Sequence, residues 1–110
     1  MLLSGHSLGG ALATFAALDL QVNLNPHQQV RLYTFGSPRV GNAQFARLVE
    51  KEVDAVYRVV VDGDVVTTTP DFLGMYHHAG IPVLFDPEAN GTVIVNPTLV
   101  ERMFVARYVL

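Results

Sequence analysis

Gly5-His6-Ser7-Leu8-Gly9 sets a serine between two glycines, directly after the short apolar run Met1-Leu2-Leu3 and directly before an apolar-periodic stretch that begins at Leu8. That order predicts a nucleophile elbow, a sharp strand-to-helix turn that presents a serine hydroxyl at the end of a strand. The serine of such a turn is held at strained backbone angles, and side chains at the flanking positions would collide, which asks for Gly5 and Gly9. Ser7 Oγ would stand exposed, while the Leu8 backbone N–H at the helix N-terminus would face a developing oxyanion. The corresponding chemistry is nucleophilic acyl transfer. A bare G-x-S-x-G arises by chance in roughly 4% of chains this long, so the strand signal before it and the helix signal after it carry the argument. The competing reading is a Gly/Ser turn with no chemistry. Phosphate-binding loops do not fit: no Gly-Lys-Ser/Thr follows, and Gly5-His6-Ser7-Leu8-Gly9-Gly10 lacks the G-x-G-x-x-G spacing.

A serine hydroxyl needs a general base, and the chain holds four histidines. His6 adjoins Ser7, but neighbouring side chains on an extended segment diverge, so its ring is expected to point away from Oγ and to pack beneath the elbow. His27 lies at the far end of the first helix, ~24 Å from Ser7 at 1.5 Å per residue, and reads as surface. His77 and His78 follow Ser7 and Asp64 in the Ser…Asp…His order of one hydrolase fold, although order alone does not make a base. Adjacent histidines without further ligand spacing do not suggest a metal site. Asp62, Asp64 and Asp71 are the candidate acids. Asp54, Asp86 and the four glutamates read as solvated surface or turn residues, and an Asp62/Asp64 carboxylate pair around glycine is more simply a turn.

The elements that must position these groups are legible as an alternation. Leu8 to Leu24 carries Leu8, Ala11, Leu12, Phe15, Leu18 and Val22 at helical spacing and stops at Asn25-Pro26. Val30 to Phe35 is β-rich and closed by Gly36-Ser37-Pro38, after which Asn42 caps a second helix with an apolar face of Phe45, Leu48 and Val49. Ala55 to Val61 is a nearly continuous apolar strand of the kind buried on both faces of a parallel sheet. Ile81 to Phe85 and Thr92 to Val95 read as a strand pair around a turn at residues 86–91, and Pro97 to Leu110 as a helix. This βαβαβ order predicts an α/β architecture, with functional residues beyond the carboxyl ends of the strands, where Ser7 and Asp62-Gly63-Asp64 both fall.

Composition narrows the function classes. The 110 residues allow one domain, half of them hydrophobic, with 7 basic and 10 acidic residues for a net charge of -3. No Lys/Arg cluster supports nucleic-acid or anionic-membrane binding. The absence of cysteine removes disulfides and thiolate metal sites, and no apolar run approaches the roughly 18 residues of a membrane span. Nothing indicates a compartment or an oligomeric state.

Three blocks in order resemble the class 3 (fungal-type) lipase family of the α/β-hydrolase fold. They are Gly5-His6-Ser7-Leu8-Gly9-Gly10-Ala11-Leu12-Ala13, Tyr33-Thr34-Phe35-Gly36-Ser37-Pro38-Arg39-Val40-Gly41-Asn42, and Tyr57-Arg58-Val59-Val60 leading to Asp64-Val65-Val66 and Pro70. A shorter element, Tyr76-His77-His78-Ala79-Gly80, is also similar to the family. The resemblance implies a partial α/β-hydrolase over residues 1–110: a mostly parallel sheet with flanking helices and a C-terminal strand pair. It implies Ser7 as nucleophile, Asp64 as triad acid ahead of Asp62 and then Asp71, and the Leu8 amide as oxyanion donor. No cofactor and no metal are implied. The family's catalytic histidine comes after the edge strands, which would put it beyond Leu110, and the histidine matching His78 belongs to a structural loop. Where the family has proline after the acid this chain has Thr67, and the proline is delayed to Pro70.

Because Met1 falls within the expected central strand and the last helix has no stop signal, the chain is expected to be a C-terminal-half fragment. The expected function is hydrolysis of lipid carboxylic esters of the acylglycerol type through an acyl-serine intermediate. A non-catalytic lipase-like module that binds lipid or a partner is the alternative, and acyl transfer to an alcohol a third reading. The expected partner is a lipid ester, with transient membrane-surface contact left open.

Overall fold

The computed structural model describes residues 1–24, 27–61, 63–87 and 91–96. Five strands, β1 (Leu2–His6), β2 (Arg31–Phe35), β3 (Ala55–Val61), β4 (Ile81–Asp86) and β5 (Thr92–Val95), form one sheet in chain order. The first four are parallel and β5 is antiparallel to β4. The mostly parallel α/β sheet and its terminal strand pair thus match the sequence reading. The stop at Asn25-Pro26, Asp62, the centre of the 86–91 turn and the helix expected from Pro97 lie outside the described residues.

Helix α1 (Leu8–Asp19) follows β1, and α2 (Ala43–Glu52) precedes β3. Right-handed crossovers that keep stepping in one direction put their helices on the same face of a sheet. Both helices accordingly share one core, in which Ala13 and Ala17 of α1 and Val49 of α2 meet Val30, Leu32, Val53 and Val56. Register aligns Leu32 with Val56 and Val60 with Leu84 on that covered face. Asn42 caps α2 as expected, its Oδ1 accepting the Phe45 N–H at 2.9 Å.

Three expectations about burial fail, the first because α1 is seated very close to the sheet. The buried residues of α1 are Gly10, Ala11, Ala13, Thr14 and Ala17; of the expected stripe Ala11 is buried and Leu18 packs against the core, whereas Leu8, Leu12, Phe15 and Val22 are exposed. A Cβ on Gly10 would lie 2.8 Å from Ser37 Cβ, so only small residues permit this approach. Phe15 and Val22 of this outward stripe, with the exposed Leu48 of α2, line an open hollow of about 650 Å³. Ala46, not Leu48, accompanies Val49 in the core. β3 buries Val56, Arg58 and Val60 but leaves Tyr57 and Val59 half-buried, because no described helix covers the second face. There the Tyr33 and Tyr57 rings stack at 5.2 Å.

Two further differences concern ends. The α-helix stops at Asp19 and continues as a wider π-helical turn over Leu20–Leu24, where Gln21 Oε1 accepts the Val30 N–H. Asp86, expected in a solvated turn, is the last residue of β4 and is buried, its strand alternation placing it on the helix-covered face with Leu84. Among the described residues, no helix is long and apolar enough to cross a membrane.

Candidate active site

Parallel strands of similar length bring their carboxyl ends to one rim, and the rim is laced together by backbone hydrogen bonds that run past the strands. Ser7 N–H donates to the Phe35 carbonyl at 2.9 Å, Gly36 N–H to Val59 at 2.9 Å, and Asp64 N–H to Val61 at 3.2 Å. Ser7, Gly36 and Asp64 therefore occupy successive positions on the same rim.

Ser7 has φ 55 and ψ -124 and makes no capping hydrogen bond with its side chain, although it stands at the N-cap position of α1. A serine there would ordinarily turn its hydroxyl onto the helix's free N–H groups; here the left-handed backbone directs the side chain elsewhere. The exposed Leu8 begins α1, and its N–H belongs to the first turn, whose donors have no intrahelical acceptor. Gly5 is sterically obligatory, since a Cβ would overlap the Gly9 carbonyl and lie 2.8 Å from Gly10 N. Gly9 is not: a Cβ there meets nothing within 4 Å. The crowding expected at Gly9 falls instead on Gly10, which turns toward the sheet.

Asp64 caps the short 3-10 helix Val65–Thr68, its Oδ1 accepting the Val66 N–H at 3.0 Å. Oδ2 faces Gly36, 2.5 Å from where a Cβ of that residue would sit. His6 Nε2 lies 3.8 Å from the same point. The expectation that His6 packs beneath the elbow is wrong: its ring is exposed, because strand alternation sends it with Leu2 and Ser4 to the face without helices. Gly36, at φ 62, thus leaves a gap bordered by the carboxylate and this imidazole. In the sequence, Gly36-Ser37-Pro38 was legible only as a strand stop.

The loop that carries Asp64 is pinned from two sides. Arg39 donates from Nη1 to the carbonyls of Thr68 and Pro70 and from its backbone to Thr69. His78 Nε2 lies 2.7 Å from the Thr67 carbonyl. A carbonyl only accepts, so Nε2 carries the proton. Burial, then the Arg58 and Arg39 charges, lower the His78 pKa from 6.5 to about 3 against the opposing Thr67 hydrogen bond, which keeps the ring neutral. His78 is a strut and its proton-bearing nitrogen is committed. Exposed His77 contributes its backbone, donating to the Gly41 carbonyl at 2.8 Å, and His27 is exposed at the far end of α1. Asp71 is exposed, while Asp64 supplies the carboxylate at Gly36. Arg39, Gly36 and buried Arg58 are participants that sequence reasoning passed over; an arginine between Pro38 and Val40 in a turn was the available signal. Among the described residues, no group of three or more His, Cys, Asp or Glu side chains could hold a metal ion.

The sequence profile described as Lipase (class 3) matches residues 1–73. The chain belongs to the class 3 lipase family. Among curated relatives of this family, a chloroplastic phospholipase A(1) of Arabidopsis thaliana is 44% identical over 68 residues, covering 62% of this chain and 15% of that protein. A secreted mono- and diacylglycerol lipase of Fusarium solani is 47% identical over 75 residues, covering 68% of this chain and 22% of its own. A solved triacylglycerol lipase, whose catalytic centre is formed by a serine protease triad, superposes with a TM-score of 0.80 at 30% identity over 98% of this chain and 43% of that one. The α/β-hydrolase fold follows, and the chain spans 15%, 22% and 43% of the length of these three relatives.

Proposed function

We infer that this chain provides the nucleophile and the acid of a lipid carboxylic-ester hydrolase. The observation that carries this reading is the uncapped Ser7 at φ 55 on the same rim as Asp64, whose Oδ2 faces the gap at Gly36. Ser7 Oγ attacks the ester carbonyl as an imidazole removes its proton, and the Leu8 N–H receives the resulting oxyanion. The carbonyl re-forms as the alcohol departs with that proton, leaving acyl-Ser7. Water, deprotonated by the same imidazole, then releases the fatty acid. Asp64 orients the imidazole through Oδ2 and balances its charge. By the family resemblance that imidazole comes from sequence beyond this chain: His78 commits its proton-bearing Nε2 to Thr67, His27 and His77 are exposed, and His6, directly before Ser7 in sequence, has its ring at the Gly36 gap.

Acylglycerols and phospholipids are the substrate classes, by similarity to a mono- and diacylglycerol lipase and a phospholipase A(1), and substrates of this kind bring the protein into transient contact with lipid surfaces. The test is hydrolysis of p-nitrophenyl butyrate by the longest natural polypeptide that contains this chain. Ser7→Ala is expected to lower kcat by several orders of magnitude with an unchanged circular dichroism spectrum. Undiminished turnover in that variant rejects the reading.

A further inference from the structure

The crossover from Asp64 to β4 carries an unusual concentration of exposed apolar side chains. Val65 beside the acid is 72% exposed, Phe72 66%, Leu73 89% and Met75 59%. Phe72, Leu73 and Met75 share a tight turn, closed by the Met75 N–H donating to the Phe72 carbonyl at 3.0 Å. Its two central residues, Leu73 at φ 53 and Gly74 at φ 69, have the paired positive φ of a type I′ turn. Asn or Gly is the usual first central residue of that turn, and leucine is disfavoured there. An aliphatic side chain is thus held at the tip of a turn whose backbone would prefer a small polar one.

Shape and charge indicate what this tip meets. A protein groove or sheet-edge partner would need a row of backbone groups or a helical face, and a two-residue apex offers neither. A fluid apolar phase needs only protruding side chains. From Val65 to Tyr76 the only charged residue is Asp71, so the segment itself offers no cation to anionic headgroups and apolar transfer is its driving force. The same crossover begins at Asp64, which ties the tip to the acid-bearing rim. We propose that the turn at residues 72–75 inserts into the surface of a lipid assembly and holds the protein there. This rests on the lipid-esterase reading for its biological setting, while the physical binding can be measured without turnover.

These 110 residues contain no tryptophan, so in the longest natural polypeptide that contains them, with any tryptophan elsewhere replaced by phenylalanine, Leu73→Trp installs a single fluorescent reporter at the apex. With phosphatidylcholine vesicles, the emission of the introduced tryptophan is expected to shift to the blue and to be quenched by brominated acyl chains. Replacing Phe72 and Leu73 together by serine is expected to weaken vesicle partitioning at least about a hundredfold, from the transfer energy of two large apolar side chains. Val93→Ser, which alters an exposed apolar residue on β5, is expected to leave it unchanged within about twofold. No blue shift, an equal loss in Val93→Ser, or a strict requirement for phosphatidylserine overturns the anchor. So does blue-shifted emission of the introduced tryptophan before vesicles are added, which would mean that protein already covers the tip. Vesicle binding that survives alongside a failed Ser7→Ala test rejects the esterase and keeps the anchor; turnover of a soluble ester without vesicle binding does the reverse.

Discussion

Gly36→Ala separates the two costs that a methyl group meets at the rim. The added carbon would sit 2.5 Å from Asp64 Oδ2, whereas carbon–oxygen contact becomes comfortable near ~3.4 Å. The carboxylate must therefore withdraw by about 0.9 Å. Misplacement on that scale lowers turnover on the order of 10²-fold, and it should act on kcat because in the proposed mechanism Asp64 orients the base and does not hold the substrate. The second cost is conformational: at φ 62 an alanine forfeits about 1–2 kcal/mol, or roughly 4–8 °C of melting temperature per kcal/mol in a domain of this size. Gly74→Ala is the matched control, since its φ is 69 and a Cβ there meets nothing within 4 Å. Both variants should lose similar melting temperature, and only Gly36→Ala should lose kcat on a soluble p-nitrophenyl ester. If Gly36→Ala keeps turnover within about threefold while melting like Gly74→Ala, the carboxylate does not work from this position and the argument fails.

The remaining expectations probe the elbow and the strut. Gly5→Ala should abolish folding or strongly reduce soluble yield, because the new carbon meets fixed backbone at Gly9 and Gly10. Gly9→Ala, placed in open space within α1, should leave the melting temperature unchanged or raise it by the helix-propensity gain of up to ~1 kcal/mol. Ser7→Gly should release about 1–3 kcal/mol of backbone strain, so calorimetry should register a higher melting temperature as esterase activity disappears. For His78 the folded-state pKa, about 3, lies below the unfolded value of 6.5, so the unfolded chain takes up the proton first. Its contribution to stability is complete above pH 6.5 and is lost as pH falls toward 3. Melting curves of the parent chain should therefore drop more steeply through that window than those of His78→Gln; parallel curves would show that the ring is not buried neutral.

The sheet and its sequence of elements were readable because each depends on local signals. Asn42 announces a cap, Ala55 to Val61 an interior strand, and glycine on both sides of Ser7 a sharp turn. What remained hidden depends on how closely elements approach one another. Leu8, Leu12 and Phe15 are the stronger hydrophobic signal on α1, yet Gly10, Ala13, Thr14 and Ala17 have the same helical spacing and win because they allow the helix to sit nearer the strands. His6 and Asp86 were misjudged because strand alternation assigns faces only once one knows which side the helices take. The Gly36 gap is a property of two rim loops meeting, and the His78–Thr67 bond joins the two ends of one crossover. Neither has a signature in the residues taken one at a time.

The match between strand order and chain order bears on how the molecule is made. Leu2 pairs with Arg31, Arg31 with Ala55, and Tyr57 with Ile81, so β2, β3 and β4 each dock on the strand synthesised just before them. None has to be wedged between two that are already joined. During translation the sheet can lengthen by successive deposition, and the loop-closure entropy at each step is that of a single βαβ excursion. Among these four strands the sharp bend at Ser7 is made before the loop that carries Asp64 has left the ribosome.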